Sequence, residues 1–380
     1  MSLTKPRVIC VAGARPNFMK IGPVLKALDA HGGFTSRLVH TGQHYDDSLS
    51  RVLFDDLGIP RPDVELEVGS ASHSLQTAEI LRRFEPVLQT EQPQVVMVVG
   101  DVNSTLACAV AAAKFHLERP FSTSFGRRTR PLVAHVEAGL RSFDDDMPEE
   151  VNRKLTDAIT DLLFVSEPSG LVNLRREGAE ERRLFLVGNV MIDSLLAVRD
   201  RARESAILET LGLSPGGYAL LTLHRPSNVD DPSVLRERLD ALESLAAQLP
   251  VVFPVHPRTR ARLAAAGIAL PAPPWHLTEP FGYVDFVRLL SSARIVLTDS
   301  GGIQEETTVL GVPCVTLRES TERPVTVEEG TNHLAGTSPL GIREACRRAL
   351  NEAKTGRVPQ FWDGRAAARI VNALARVFEA

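Results

Sequence analysis

The chain has 380 residues, of which 43% are hydrophobic and 24% charged, and its formal net charge is −4. This is the composition of a globular protein with room for two domains, and it lacks the charge excess of a nucleic-acid binder and any apolar run of the ~18 residues that a membrane helix needs. Because MSLTKPR leads directly into the strand-like VICVAG, we expect no N-terminal signal peptide. Four scattered cysteines without C-x-x-C spacing argue against disulfides and zinc, and predict a reducing cytoplasmic location.

Short apolar runs rich in β-branched residues alternate with longer helical patterns along the chain. Such runs are typical of parallel strands that are buried on both faces, and the alternation predicts an α/β fold. The strand-like runs include RVICVAG, TSRLVHTG, QVVMVVGD, PLVAHVEAG, DLLFVSE, RLFLVGN, YALLTLH, PVVFPVH, ARIVLTD and PCVTL. These are too many for one comfortable sheet, so we predict two Rossmann-like, doubly wound domains with parallel sheets.

The domain boundary is predicted after RLFLVGN. We expect residues 1–188 to form the N-terminal domain and residues 189–363 the C-terminal domain, with a final helix over residues 364–380 that packs back on the N-terminal one. The polar segment STSFGRRTR, residues 122–130, lies between a predicted helix and a predicted strand. We expect it to be an exposed loop.

Polar residues cluster directly after the predicted strands. In an open parallel sheet, ligands bind beyond the carboxyl ends of the strands. Because these positions come from both halves of the chain, they predict a single cleft between two domains. The residues are Gly13, Arg15, Lys20, Gln43, His44, Asp101, Glu137, His224, His256, Asp299 and Ser300.

The segment TDSGGIQEETTVLGVPC, residues 298–314, places two glycines at the start of a predicted helix. A helix N-terminus offers unpaired N–H groups and the positive end of the helix dipole, and glycine lets a ligand approach the backbone. Phosphate is the usual ligand of such a site. A serine cap followed by acidic residues that suit the dipole would look the same, so both interpretations stay open at this point.

Several of the polar residues also have a purely structural interpretation. Asp101 could cap the helix that follows it. Glu137 lies between apolar VAHV and AGL, and a buried carboxylate needs a partner, which could be Arg141. His224 could be a core histidine, although the adjacent Arg225 and its place at a strand end favour function. Neither a P-loop motif nor a G-x-G-x-x-G after a strand is present.

Eight motifs taken together resemble the non-hydrolysing UDP-N-acetylglucosamine 2-epimerases. They are, in chain order, GARPNFMK, TGQHYD, GDVNST, HVEAGLRS, MPEEVNR, DSGGIQEE, LGVPC and TERPVTVEEGTN. The resemblance covers nearly the whole chain. It implies two Rossmann-like domains that face a cleft, as in glycosyltransferases of the B type, together with a UDP-sugar substrate and a homodimer.

The chemistry that the resemblance implies is epimerisation at C2 of the sugar. UDP is eliminated to leave a 2-acetamidoglucal and is then added back with the opposite C2 configuration, without a metal or nicotinamide cofactor. This needs groups that stabilise departing UDP and an acid–base group on each face of C2. The residues that match the family's acid–base candidates are Asp101, Glu137, Glu149 and His224.

The resemblance also implies a nucleotide-sugar pocket. Residues 300–302 would hold the diphosphate, Glu306 would accept hydrogen bonds from the ribose hydroxyls, and Arg15 would bind phosphate. Phe286 would pack on uracil, although an ordinary core phenylalanine is the alternative. The full set implied for substrate binding is Arg15, Lys20, Arg153, His256, Phe286, Ser300, Gly301, Gly302, Glu306 and Arg323.

A second, allosteric UDP-GlcNAc site is found in some family members, and Gln43, His44 and Gln76 match its neighbourhood. The family frequently has an Arg-Glu pair at the positions of Pro226 and Ser227, close to both the active and the allosteric site. We therefore expect activation by UDP-GlcNAc to be weak or absent. The other departures from the common pattern are Asn17, Val102, Asn103 and a longer segment over residues 118–130. None of them removes a candidate catalytic residue.

We therefore predict an isomerase that forms UDP-ManNAc from UDP-GlcNAc for surface polysaccharide. Three alternatives stay open. The same chemistry could act on a modified sugar such as a UDP-diacetamido-uronic acid. The chain could instead be a hydrolysing epimerase that releases free ManNAc and UDP, or a nucleotide-sugar-binding protein without catalysis.

Overall fold

The computed structural model describes residues 5–42, 54–270, 272–351 and 356–379, without the side chain of Arg15. The chain forms two compact units. One comprises Met1–Ser194 together with Gln360–Ala380, and the other comprises Leu195–Pro359. Within the described ranges, no helix has both the length and the apolar character needed to cross a membrane.

The regular elements alternate between strand and helix along most of the chain. The strands are β1 (Arg7–Ala12), β2 (Thr35–His40), β3 (Val64–Glu65), β4 (Val95–Val99), β5 (Phe121–Thr123), β6 (Gly126–Arg128), β7 (Leu132–Ala138), β8 (Leu162–Val165), β9 (Leu184–Leu186), β10 (Ala219–Thr222), β11 (Val251–Pro254), β12 (Trp275–Thr278), β13 (Ile295–Thr298), β14 (Cys314–Thr316) and β15 (Asn332–Leu334). The helices are α1 (Arg15–His31), α2 (His73–Glu91), α3 (Asn103–Lys114), α4 (Pro148–Ile159), α5 (Pro168–Arg176), α6 (Val190–Arg203), α7 (Ile207–Thr210), α8 (Pro226–Val229), α9 (Pro232–Ala241), α10 (Glu243–Ala246), α11 (Pro257–Ala265), α12 (Tyr283–Ser292), α13 (Gly301–Leu310), α14 (Pro324–Glu328), α15 (Pro339–Asn351) and α16 (Ala366–Phe378).

The first unit contains a seven-stranded sheet in the order β3-β2-β1-β4-β7-β8-β9, and every pairing in it is parallel. All five residues of β4, VVMVV, are buried. This is the continuous apolar pattern of a strand that is covered on both faces. The carboxyl ends of the parallel strands meet at one edge of the sheet.

The second unit contains a six-stranded parallel sheet in the order β12-β11-β10-β13-β14-β15. Alternate residues of its two central strands enter different hydrophobic clusters. Leu221 and Leu297 belong to one cluster, whereas Leu220 and Val296 belong to another. Because side chains alternate across a strand, the two clusters cover opposite faces. The predicted fold class, α/β with two doubly wound parallel sheets, is confirmed.

The segment expected to be a loop, residues 122–130, is instead largely a β-hairpin. β5 and β6 pair antiparallel. The Phe121 ring stacks on Phe378 of α16, with centroids 5.8 Å apart, and the Ser124 N–H donates to the Val377 carbonyl at 2.9 Å. The prediction of a loop was wrong because the contacts that order the segment come from a helix about 250 residues further along the chain.

The final helix α16 is anchored at its start within the first unit. The Asp193 carboxylate accepts the Ala366 and Ala367 N–H groups at 3.1 and 2.8 Å. Burial raises the pKa of Asp193 to about 6, against the opposing effect of these two bonds. The indole N–H of Trp362, just before the helix, donates to the Ser166 carbonyl at 3.0 Å.

Candidate active site

Glu137 occupies the carboxyl end of β7 in an unusual backbone conformation. Its φ is 71°, and the register between β7 and β8 shifts between Val136 and Ala138. A left-handed conformation costs a non-glycine residue about 1–3 kcal/mol, and such strain concentrates at functional sites. The irregularity interrupts the regular pairing of β7 with β8 at Glu137.

Lys20 of α1 is the partner of Glu137. The Nζ atom lies 2.5 Å from Oε2, and both side chains are more than nine-tenths buried. The other carboxylate oxygen, Oε1, is buried and accepts no hydrogen bond from any described residue. Arg141, the alternative partner considered from the sequence, instead pairs with Asp157 and Glu177. A carboxylate with one paired and one unsatisfied oxygen is suited to accept a proton from a ligand.

Asn17 holds the turn between β1 and α1. Its Oδ1 accepts the Gly13 and Ala14 N–H groups at 3.1 and 2.9 Å, while its Nδ2 donates to the Val99 carbonyl at 3.1 Å. An ionised carboxylate at this position, where the resemblance implies that an acid is frequent, could accept the first two bonds but could not donate the third. The departure at Asn17 thus links α1 to β4. Arg15 begins α1, but its side chain lies outside the described part of the structure.

Asp101 follows β4 and forms an ion pair with Arg153 of α4. Asn152 of the same helix donates to the Asp101 carbonyl at 2.9 Å. The residue at the N-cap position of α3 is Val102, which directly follows Asp101. The Asp101 side chain keeps 31% of its surface exposed and is therefore accessible to a ligand.

The two neighbouring glutamates of α4 have different surroundings. Glu150 is fully buried, and its carboxylate accepts the Ser142 and Phe143 N–H groups and the Arg153 guanidinium. Burial opposes ionisation of Glu150, but these bonds hold its pKa below the usual value. Glu149 is half-buried, and no described residue bonds to its carboxylate. Glu150 therefore fixes the loop and Arg153, while Glu149 stays available for a substrate.

A buried cluster of His135, Asp157 and Arg141 lies beneath these carboxylates, and the sequence pattern did not predict it. His135 of β7 is fully buried, with Nδ1 2.6 Å from Asp157 Oδ1 and Nε2 2.8 Å from the Gly100 carbonyl oxygen. The other Asp157 oxygen accepts the Gly139 N–H at 3.0 Å and lies 2.8 Å from Arg141 Nη2. A polar residue inside the apolar run PLVAHVEAG was the available signal.

The residues matched to the allosteric site are only partly described. Gln76 of α2 is 3% exposed, and its amide donates to the Gly69 carbonyl at 2.9 Å and accepts from Asn103 Nδ2 at 2.8 Å. Gln43 and His44 lie outside the described residues. Gln76 thus supports the turn at Gly69 and the start of α3.

At the carboxyl edge of the second sheet, His224 is held by Asp299. Its Nδ1 lies 3.0 Å from Asp299 Oδ1, and the fully buried aspartate also accepts N–H groups from His224, Arg225 and Asn228. Burial opposes ionisation of Asp299, yet His224 and these donors keep its pKa below the usual value. The carboxylate orients the imidazole, which is 43% exposed, so that Nε2 can serve an acid–base role.

His256 lies beside His224 in the second unit, with ring centroids 6.0 Å apart. It occupies the N-cap position of α11, where its Nδ1 accepts the Arg258 N–H at 3.3 Å.

Phe286 of α12 is half-buried and packs against the cluster that contains Leu289.

The start of α13 does not show ordinary serine capping. Ser300 is at the N-cap position, but its hydroxyl makes no capping bond. A Cβ on Gly301 would lie 2.5 Å from Arg323 Nη1, so glycine is needed for the guanidinium to approach this helix end. Arg323 in turn donates to Glu305 Oε1 at 2.6 Å. Gly302 follows, half-buried. A helix N-terminus beside an arginine is suited to an anionic ligand.

Glu306 lies one turn inside α13 and is 2% exposed. Its Oε1 accepts the Tyr283 hydroxyl at 2.6 Å. Burial raises the pKa of Glu306 to about 7, although the Tyr283 bond acts in the opposite direction. Burial therefore favours the protonated carboxyl group more than at an exposed glutamate, and the group can exchange its Tyr283 bond for other hydroxyl donors.

Comparisons with known proteins identify the family of this chain. The family model described as UDP-N-acetylglucosamine 2-epimerase matches residues 26–375. The chain is 39% identical to a UDP-2,3-diacetamido-2,3-dideoxy-D-glucuronate 2-epimerase of Pseudomonas aeruginosa, over 98% of this chain and 100% of the relative. It is 38% identical to a UDP-N-acetylglucosamine 2-epimerase of Methanocaldococcus jannaschii, over 96% and 97% of the two chains.

Solved structures show the same relationship. A crystal structure of the Methanocaldococcus jannaschii UDP-GlcNAc 2-epimerase, in complex with UDP-GlcNAc and UDP, superposes with a TM-score of 0.87 and 37% identity. The match covers 97% of this chain and 99% of that one. Relatives of this identity and coverage share both fold and family. The chain belongs to the UDP-N-acetylglucosamine 2-epimerase family, whose members are isomerases.

Proposed function

We propose that this protein interconverts UDP-GlcNAc and UDP-ManNAc by elimination and re-addition of UDP. The observation that carries the proposal is the Lys20–Glu137 pair, in which a strained, buried carboxylate keeps one oxygen without a hydrogen-bond partner. A protein that only binds a nucleotide sugar has no need of such a group. Surface polysaccharide is the proposed destination of the product.

The departing UDP needs stabilisation of its negative charge when the C1–O bond breaks. In the second unit, the start of α13 with Ser300, Gly301 and Gly302 offers N–H groups, and Arg323 adds a positive charge beside them. We assign the diphosphate to this helix end, with Arg15 of the first unit as a further phosphate ligand. Glu306 would take the ribose hydroxyls and Phe286 the uracil ring.

The sugar needs groups that move a proton at C2. The C1–O bonding electrons leave with UDP, the C2 proton passes to a base, and the C2–H electrons form the C1–C2 double bond. Re-addition reverses these steps after protonation from the other face. We assign the proton transfers to Asp101, Glu137, Glu149 and His224, with Lys20 and Arg153 holding two of the carboxylates.

A second candidate substrate is UDP-2,3-diacetamido-2,3-dideoxy-D-glucuronate. The observation that favours it is the 39% identity to the Pseudomonas aeruginosa enzyme over the entire length of that relative. Epimerisation at C2 involves the same bonds in both sugars, so the residues assigned above would serve either one.

A homodimer in a reducing cytoplasm is the proposed state of the protein. Val151 and Leu155 lie four residues apart on α4 and are 46% and 50% exposed, and Phe143 nearby in sequence is 73% exposed. Exposed apolar side chains on one helix face are suited to contact with a second copy. The four cysteines are unpaired and buried, which is compatible with a reducing compartment.

The test is incubation with each UDP-sugar in heavy water, followed by NMR. We expect the C2 epimer to form and deuterium to appear at C2 of product and recovered substrate, without added NAD. Free ManNAc and UDP as products would indicate a hydrolysing enzyme. Binding without turnover of either sugar would indicate a non-catalytic protein, and turnover with full retention of the C2 hydrogen would contradict the mechanism.

A further inference from the structure

We infer that His135 is a positioning residue that holds the turn carrying Asp101 against the turn carrying Glu137. The inference rests on the proposed function, because those two carboxylates are assigned there to proton transfer. His135 is fully buried beneath them and is not itself placed to touch a substrate. Its effect is exerted through the backbone of both turns.

The first step concerns the protons of the imidazole ring. Nδ1 faces the Asp157 carboxylate at 2.6 Å, and Nε2 faces the Gly100 carbonyl oxygen at 2.8 Å. Both partners are acceptors, and a neutral imidazole has only one N–H to donate. The ring therefore lies between two acceptors and links the Asp157 carboxylate to the Gly100 carbonyl oxygen.

The second step concerns the peptide that precedes Asp101. Gly100 has φ 67°, and both of its polar backbone groups are tied to β7. Its N–H donates to the Val136 carbonyl at 3.1 Å, and its carbonyl accepts from His135. A Cβ at Gly100 would lie 3.0 Å from Lys20 Nζ and 3.8 Å from Glu137 Oε2. The clamped residue therefore lies directly against the proposed catalytic ion pair.

The third step concerns the strained turn at Glu137. A left-handed residue keeps its conformation only when its surroundings enforce it. Two residues further on, the Gly139 N–H donates to Asp157 Oδ2 at 3.0 Å, and the opposite oxygen of the same carboxylate holds His135. Burial opposes ionisation of Asp157, but His135 and Arg141 keep its pKa below the usual value. One ionised aspartate thus ties the Glu137 turn to the ring that holds Gly100.

The chain provides a matched control four residues further along. Asp161 also accepts a backbone N–H at β7, from Val133 at 2.9 Å, and also binds an arginine, Arg130, at 2.8 and 3.0 Å. It is buried like Asp157, at 8% exposure against 3%. Asp161 lies at the opposite end of β7 and makes no bond to His135. Replacing either aspartate removes an ion pair with an arginine, which is fully buried for Asp157 and partly exposed through Arg130 for Asp161, but only Asp157 is linked to the catalytic turns.

The experiment compares His135→Gln, Asp157→Asn and Asp161→Asn at a temperature at which all remain folded. We expect kcat to fall by about 100-fold in the first two variants, since small misplacement of catalytic groups costs rate of this order. KM and the Kd for UDP should change little, and Asp161→Asn should keep near wild-type kcat. The double variant His135→Gln/Asp157→Asn should be little worse than either single variant. Equal kcat losses in Asp157→Asn and Asp161→Asn, or none in His135→Gln, would overturn the inference.

Hydrogen exchange provides a readout that does not require turnover. The amides of residues 100–103 and 137–141 should exchange faster in His135→Gln than in Asp161→Asn, because only the former releases both turns. Should the wild type fail to epimerise either UDP-sugar while this exchange pattern is observed, the proposed function fails and the positioning role stands. Unchanged exchange in both segments would refute the positioning role whatever the substrate.

Discussion

The Tyr283 hydroxyl donates to the Glu306 carboxylate at 2.6 Å, and both groups are buried in the second unit. Burial raises the pKa of Glu306 from 4.5 to about 7 and raises the pKa of Tyr283 well above its usual value. The pair therefore prefers the protonated carboxyl group. A ligand that brings its own hydroxyl donors would make ionisation of Glu306 easier.

This pairing predicts a pH-dependent stability. Because the pKa of Glu306 is higher in the folded than in the unfolded chain, its contribution to stability is lost as the pH rises from 4.5 through 7. The loss is about 3 kcal/mol at 1.36 kcal/mol per pKa unit. Glu306→Gln should remove this loss, so that the variant gains stability relative to wild type between pH 5 and pH 8. Urea unfolding of wild type and variant at pH 5 and pH 8 measures this change in the free energy of unfolding.

The control for this experiment is Glu344→Gln, an exposed position on α15 of the same unit. We expect the free energy of unfolding of Glu344→Gln to have the same pH dependence as that of the wild type. A pH dependence in Glu306→Gln that equals that of the wild type would mean that another buried group, such as Asp193, dominates the titration.

The two proposed glutamate roles predict opposite changes in binding and turnover. Glu137→Gln removes a proton acceptor and should lower kcat by about 10²–10⁴-fold, with nearly unchanged UDP affinity. Glu306→Ala removes hydroxyl contacts made in ground and transition states alike, and should mainly weaken UDP binding, by about tenfold or more. Calorimetry with UDP and steady-state kinetics distinguish the two. The reverse pattern would show that the roles are interchanged.

Asp299 is predicted to support the chemistry of His224. Asp299→Asn keeps the size of the side chain but removes the charge that orients Nδ1 at 3.0 Å. Without this charge, the His224 imidazole would be misoriented or would carry the wrong tautomer. We therefore expect kcat to fall by about 10²-fold, because a general acid–base group contributes at least this factor. The pH profile of kcat should shift as well. A variant with unaltered kcat and pH profile would exclude His224 from proton transfer.

Activation by a second molecule of UDP-GlcNAc is predicted to be weak or absent. Pro226 and Ser227 start α8 beside His224 and are exposed, in place of the Arg-Glu pair frequent in the family. Loss of one charged hydrogen bond costs about 1.5–3 kcal/mol, or roughly one to two decades in affinity. Proline also removes a backbone donor. UDP-ManNAc alone should therefore be converted with nearly hyperbolic kinetics and no lag.

The corresponding measurement is the reverse reaction, started with purified UDP-ManNAc. An absolute requirement for added UDP-GlcNAc would contradict this prediction. It would assign the second site to the remaining polar residues, among them Gln76, whose amide is bonded to Gly69 and Asn103.

The sequence by itself was sufficient for the parallel sheets, the strand-end location of the polar residues and the helix start at Gly301. These features are local. An apolar run such as VVMVV is buried only where both faces of the strand are covered, and the start of α13 was predicted from Ser-Gly-Gly between an apolar strand and a helical pattern. The family motifs, read in order, identified the chemistry. Strand-end residues such as Asp101 and Glu137 followed from the same local pattern.

Only the tertiary structure decided which partner each side chain has. Glu137 pairs with Lys20, 117 residues away in sequence, rather than with the nearby Arg141. Glu149 and Glu150 look alike in MPEEVNR, yet only Glu150 is committed to backbone donors. In the sequence, His135 is only a polar residue within an apolar run. Its contacts with Gly100 and Asp157 are visible only in the structure. Pattern reasoning detects periodicity along the chain, whereas hydrogen bonds and ion pairs depend on contacts between segments far apart in sequence, which arise only when the sheet is assembled.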